Sequence, residues 1–237
     1  MSHNATLYTN AGFAPYEYVN EFGEVVGIDV DVMQEIGEIL GYKVVVNDIE
    51  FKNILNEVGK NKMAVGAAGM SQKAERDEVA LASHVYATSQ QYVIAPVGTF
   101  EDGAVVTEAQ IYEAVGDKKI GVQQGTTGSF LIEDYLKSIE VNYEDKVIDY
   151  SNAIVASSDI NSTLKAVIID ELPAKAISAD NNGLACWKID AEMESYVLYF
   201  NKEATELVAK VNKILDVMIE TGAIDYFTMK HTGGIVG

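Results

Sequence analysis

Arg76 is the only arginine in the chain; every other cation in its total of 17 Lys and Arg residues is a lysine. A guanidinium presents a planar fork that engages a carboxylate through two parallel hydrogen bonds, whereas lysine offers a point charge. Taken alone, such a residue reads more readily as an ordinary surface cation of a lysine-biased chain. Its neighbours change that reading. Gly69-Met70-Ser71 ends an apolar strand five residues earlier, and ligands of open α/β sheets bind beyond the carboxyl ends of strands. Glycine there lets main chain approach a ligand, and Ser71 adds a hydroxyl. A second strand-loop-helix start, Gly121-Val122-Gln123-Gln124-Gly125-Thr126-Thr127-Gly128, offers N–H groups and two threonine hydroxyls as an anion cradle. It lacks the lysine of a phosphate loop, so nucleotide binding is not expected; the competing reading is an ordinary helix cap. Asp170 follows the apolar run Ala166-Val167-Ile168-Ile169. A carboxylate in that place either caps the next helix or binds an ammonium. Phe13, in the loop Gly12-Phe13-Ala14-Pro15-Tyr16, and Phe51 lie after strands, where aromatics serve as binding surfaces or as core.

These residues need elements to hold them. Short apolar runs alternate with amphipathic stretches, which reads as α/β. Thr6–Thr9 is expected as a first strand, and Asp29 as the cap of a helix bearing Val32, Met33, Ile36, Ile39 and Leu40, closed by Gly41. Strands are expected at Lys43–Val46, Met63–Ala68 and Gln91–Ala95, with helices at Phe51–Val58 and Ala74–Val79. Between Val97 and Val106 the composition shifts to Gly, Thr, Asp and Glu, and the pattern then restarts. The second half is expected to hold helices at Glu108–Val115, Phe130–Leu136, Ile154–Leu164, Leu172–Ala179 and Ala204–Thr221. Its strands are expected at Lys119–Val122, Val147–Asp149, Ala166–Ile169 and Val197–Phe200. The restart predicts two α/β lobes.

Bulk properties narrow the function. With 237 residues and 48% hydrophobic content, the chain builds an ordinary core in lobes of about 100 residues each. A net charge of −19 repels nucleic acid and anionic lipid. The single cysteine, Cys186, excludes an internal disulfide and sits among Leu184, Ala185 and Trp187 as a buried thiol. His3, His84 and His231 have no metal-ligand spacing, so no metal or cofactor is expected. Met1-Ser2-His3-Asn4 shows no signal peptide, which fits a mature chain whose targeting segment has been removed.

The order of these features resembles a known family. NAGFAPYE (Asn10 to Glu17), VGIDVD (Val26 to Asp31), Glu50-Phe51, AAGMSQKAER (Ala67 to Arg76), GVQQGTTG (Gly121 to Gly128) and VIIDELPAK (Val167 to Lys175) follow one another as in bacterial extracellular solute-binding protein family 3, the amino-acid receptors of ABC importers. The resemblance implies a two-lobed, type II periplasmic-binding-protein-like fold, with the ligand in a cleft between lobes. Lobe 1 would comprise 1–88 plus 192–237 and lobe 2 89–191, with crossings near Thr88 to Gln90 and Ala191 to Glu194. It implies that Arg76 holds a ligand carboxylate with Ser71 and Thr127. Asp170, the Gly69 carbonyl and the Ser71 hydroxyl would take the ammonium, and Phe13 and Phe51 would sandwich the side chain. Asn10, Gln123 and Glu17 would face its far end; Met70 and Thr126 complete the two loops. The implied partners are a free L-amino acid and a membrane permease, with the receptor a monomer outside the cytoplasm, periplasmic or lipid-anchored. Ile28, Ser83-His84-Val85-Tyr86 and Asn10 depart from the family pattern. Two other functions fit the same scaffold: an enzyme of the cyclohexadienyl dehydratase type, with Glu17 or Glu171 as acid or base, and the sensor domain of a larger receptor.

Overall fold

A computed structural model describes residues 3–233. The chain divides into two units. One comprises the segments up to Thr88 and from Glu194 on; the other is Ser89–Met193. Each is built on its own mixed sheet with helices packed against it.

In the first unit the sheet runs, in spatial order, Tyr42–Asp48, His3–Thr9, Ala64–Gly66, Tyr199–Phe200, Leu81–Ala82. The first three strands are parallel. Their carboxyl ends therefore lie together and feed the loops at Asn10, Ile49 and Ala67. The tie is direct: Ile49 donates its main-chain N–H to Thr9 O, and Asn10 Nδ2 donates to Ile49 O at 2.7 Å. Helix Ile28–Leu40 buries Val32, Met33 and Ile36 at helical spacing and ends on Gly41 in the left-handed conformation. Asp29, expected as its cap, lies inside the first turn instead. Gly27 holds the N-cap position at φ 142°, where a side chain would stand 2.1 Å from Tyr16 O. Only glycine fits that approach.

In the second unit the order is Val147–Tyr150, Lys119–Gln123, Leu164–Asp170, Gln91–Pro96, Leu184–Ile189, Val105–Val106. Lys119–Gln123 is parallel to both its neighbours. Leu164–Asp170 and Gln91–Pro96 are antiparallel, in a register that sets Asp170 opposite Gln91. The core packs Val93, Ile111, Ile120, Ile132, Ile168 and Trp187. The expected helix from Ile154 to Leu164 stops at Ser158, and Asn161 turns the chain at φ 75° into the strand that follows. Helix Thr127–Ser138 starts earlier than its apolar pattern, directly at the Gly-Thr loop. Leu184–Ile189 is a strand that the sequence pattern did not mark, and Cys186 lies half-buried on it.

Helix Glu108–Val115 has a full capping box. Thr107 Oγ1 accepts from Gln110 N, and Gln110 Oε1 accepts from Thr107 N. Thr107→Ala is expected to destabilise the chain by ~1 kcal/mol and to leave ligand affinity unchanged, as read by urea unfolding and calorimetry.

Candidate functional site

The first unit carries eight of the expected site residues. Arg76 sits in the short helix Ala74–Asp77 and is 8% exposed, so it is no ordinary surface cation. Its Nη1 donates to Ser71 O at 2.8 Å, and its guanidinium lies 5.4 Å from the centre of the Phe51 ring. The helix is pinned by Tyr199. That hydroxyl accepts from Lys73 N and donates to Asp77 at 3.1 Å; burial and the Asp77 charge push it up to about 12. Ser71 is buried and donates its hydroxyl to Glu194 at 2.9 Å, which turns its oxygen lone pairs to any incoming donor. Gly69 has φ 54°, with Phe13 packed so closely that an added Cβ would meet its ring at 2.5 Å. Met70 is 1% exposed and joins the core cluster of Ile54, Val58 and Tyr199. Glu17 is 1% exposed and hydrogen-bonds Asp29, which places its carboxyl inside the unit.

The second unit carries the other four. Asp170 occupies the N-cap position of helix Glu171–Ala179, yet its side chain makes no cap hydrogen bond. It accepts instead from Gln91 Nε2 at 2.7 Å, and the same nitrogen donates to Thr127 Oγ1 at 3.2 Å. Gln91 thus links Asp170 to the Gly-Thr loop, and all three side chains are buried. Gln91 packs closely over the helix start: a Cβ at Gly128 would stand 2.7 Å from its Oε1 and 3.1 Å from Ile168 Cγ2. Thr126 does cap its helix: its oxygen accepts from Ser129 N and its hydroxyl donates to Gln123 O. Gln123 is 5% exposed and donates to Ser151 O.

Two partners escaped the sequence reading. Gln91 and Glu194 reach Asp170 and Ser71 through strand register, by the pairs Asp170↔Gln91 and Ser71↔Tyr196. Nothing local marks either residue, although a polar Gln at the head of an apolar strand is a faint signal. The departure at Ser83-His84-Val85-Tyr86 leaves the buried ends in place. Ser83 and Tyr86 are buried, while exposed His84 pairs with Asp216 at 2.8 Å. Among the described residues no cluster of His, Cys, Asp or Glu could hold a metal ion, and no helix is long and apolar enough to cross a membrane.

The model of the bacterial extracellular solute-binding proteins, family 3, matches residues 6–234. The chain belongs to that family. As a family 3 protein it is a solute-binding receptor. It is 25% identical over 230 residues to the arginine-binding extracellular protein ArtP of Bacillus subtilis, covering 95% of this chain and 85% of ArtP. An ancestral arginine-binding protein solved with arginine superposes with a TM-score of 0.84 at 27% identity, covering 98% and 99% of the two chains. A partial match, 23% identical over 65% of this chain and 57% of the other, is to cyclohexadienyl dehydratase of Pseudomonas aeruginosa. ArtP, matched along 85% of its own length, is named as a binding protein.

Proposed function

We propose that this receptor captures a free α-amino acid outside the cytoplasm and passes it to the permease of an ABC importer, with no chemistry of its own. Asp170 carries the reading. A buried carboxyl at a helix N-cap that does not cap its helix, held by Gln91 from the facing strand, is a positioned acceptor for an ammonium. Arg76, fixed by Ser71 O and seated on Phe51, is the complementary carboxylate fork. Together the two groups are the complementary halves that a free α-amino acid requires. Ser71 adds its hydroxyl oxygen to the ammonium, and Thr127 stands on the Gln91 bridge. An enzymatic reading needs an acid or base beside the substrate. Glu17 hydrogen-bonds inside the first unit, and Glu171 pairs with Lys175 at 2.7 Å, so both carboxyls have structural partners.

The ligand we propose is a polar neutral or basic L-amino acid. Asn10, Gln123 and Gln124 bring hydrogen bonds and no cation, and Arg76 is already spent on the α-carboxylate. A second carboxylate would be buried without a partner, at a cost of several kcal/mol. Arginine gains cation–π contact with Phe13 or Phe51. ArtP and the ancestral protein are named for arginine, which supports this class. In a competition assay glutamine, histidine or arginine is expected to displace a bound probe at concentrations where glutamate does not. Tighter binding of glutamate than of glutamine overturns the proposal.

A further inference from the structure

Asp29 is fully buried in the first turn of helix Ile28–Leu40. Its Oδ2 accepts the Gly69 N–H at 2.8 Å, and its Oδ1 accepts the Tyr86 hydroxyl at 2.6 Å. Its third partner is the side chain of Glu17, itself 1% exposed. Two carboxyl groups that hydrogen-bond each other must hold a proton between them, because two ionised ones are both acceptors and repel. The groups facing Asp29 are Glu17, Tyr86 and the Gly69 amide, with Tyr16 beside Tyr86; no cation is among the partners of Asp29.

The amide that Asp29 holds belongs to the site. Gly69 stands at φ 54° against the Phe13 ring. Two residues on, Ser71 O fixes Arg76 and the Ser71 hydroxyl meets Glu194. We propose that Glu17 and Asp29 are positioning residues that share one proton, and that this proton sets the Gly69–Ser71 main chain and makes amino-acid affinity depend on pH. The proposal rests on the receptor reading above. With Glu17 protonated and Asp29 ionised, Asp29 accepts three donors, and bonds to a charged acceptor are about twice as strong as neutral ones. A second proton on Asp29 removes that charge and occupies an acceptor site, so the hold on Gly69 weakens. Loss of the shared proton leaves two buried carboxylates in contact, and the hold weakens again. Affinity is therefore highest between the two protonation steps.

The lower step falls near neutrality. Burial pushes the Asp29 carboxyl up to about 6, and the bonds from Gly69, Tyr86 and Glu17 draw it back only in part. Burial, then the Asp29 charge, push Tyr86 well above its ordinary value, so it remains a donor throughout. The sign for stability follows. Between the unfolded value and about 6 the folded chain binds more protons than the unfolded one. This contribution to stability is full below the unfolded value and is lost as pH rises through about 6.

The test follows the Gly69 amide of the ¹⁵N-labelled full chain by NMR from pH 4.5 to 7, without ligand. In parallel, calorimetry measures Kd for L-arginine, whose own groups titrate outside that window. The Gly69 resonance is expected to move with a midpoint near pH 6, and affinity to weaken about fivefold from pH 7 to 4.5. Both dependences are expected to vanish in Asp29→Asn and to shift in Glu17→Gln. A flat Gly69 resonance in the wild type overturns the proposal, even where Asp29→Asn fails to fold. So does an affinity profile that Asp29→Asn leaves unchanged. If neither arginine nor another free amino acid binds at any pH, the receptor reading falls, and the ligand-free Gly69 titration still decides whether the proton is shared.

Discussion

Arg76→Lys is expected to weaken amino-acid binding by about 30-fold to several thousand-fold while the chain stays folded. Truncating one partner of a buried, hydrogen-bonded charge pair costs roughly 2–5 kcal/mol, which converts to that range of Kd. Lysine keeps the charge, so the loss measures geometry. Arg76 is held at two points, by Ser71 O on Nη1 and by the Phe51 face under the guanidinium. These two contacts fix the plane of the guanidinium, which the proposed carboxylate clamp requires. A lysine ammonium has three rotating donors and no planar face to lay on Phe51. The helix itself does not depend on the guanidinium: Tyr199 holds Lys73 N and Asp77, and Lys202 donates to Asp77 O. Circular dichroism and the urea midpoint should therefore stay within about 1 kcal/mol of wild type, the weight of one hydrogen bond. Near-native affinity by calorimetry would refute the clamp.

What the sequence disclosed depended on how local each signal was. Helix Glu108–Val115 was legible to the residue, and the structure shows that its Thr-x-x-Gln capping box and its Gly116 stop lie within the segment. The carboxyl ends of strands at Gln123 and Asp170 were legible because apolar runs end there in polar residues, whereas the strand before Gly69 stops at Gly66. The α/β pattern and the uniqueness of Arg76 needed only composition and periodicity. Long-range pairing was not legible. Asp29 looked like a helix cap because acids before apolar periodicity usually are. Its true partners, Gly69 and Tyr86, lie 40 and 57 residues away. The contact of Glu17 with Asp29 was not legible either, since nothing near Glu17 in the sequence announces it. The short helix Ala153–Ser158 was over-extended because Asn161 at φ 75° breaks an apolar spacing that continues past it. For Asp29 the deciding contacts cross from one element to another, which a one-dimensional pattern does not encode.

Asp170→Asn separates the two roles a carboxylate has at the start of a helix. If Asp170 served the helix Glu171–Ala179, the substitution would be nearly silent, since Asn caps as well as Asp. The side chain makes no cap bond, however, and points its Oδ1 to Gln91. An amide oxygen can accept the same Gln91 N–H, so the bridge to Thr127 survives and the fold is expected to hold. What is lost is the negative charge that the proposed site offers to a ligand ammonium. Affinity for an α-amino acid is expected to fall about 30-fold or more, the consequence of removing one charge of a buried pair. The deaminated analogue of the same amino acid, which keeps the carboxylate for Arg76 and the whole side chain, has no ammonium to lose. Its affinity, weak in the wild type, is expected to change by about twofold or less, because it offers no ammonium for either side chain to meet. Calorimetry on the pair of ligands with both proteins closes a double-mutant-type cycle, and its coupling free energy is the Asp170–ammonium interaction itself. Equal losses for the two ligands would give zero coupling and assign Asp170 to the Gln91–Thr127 bridge alone.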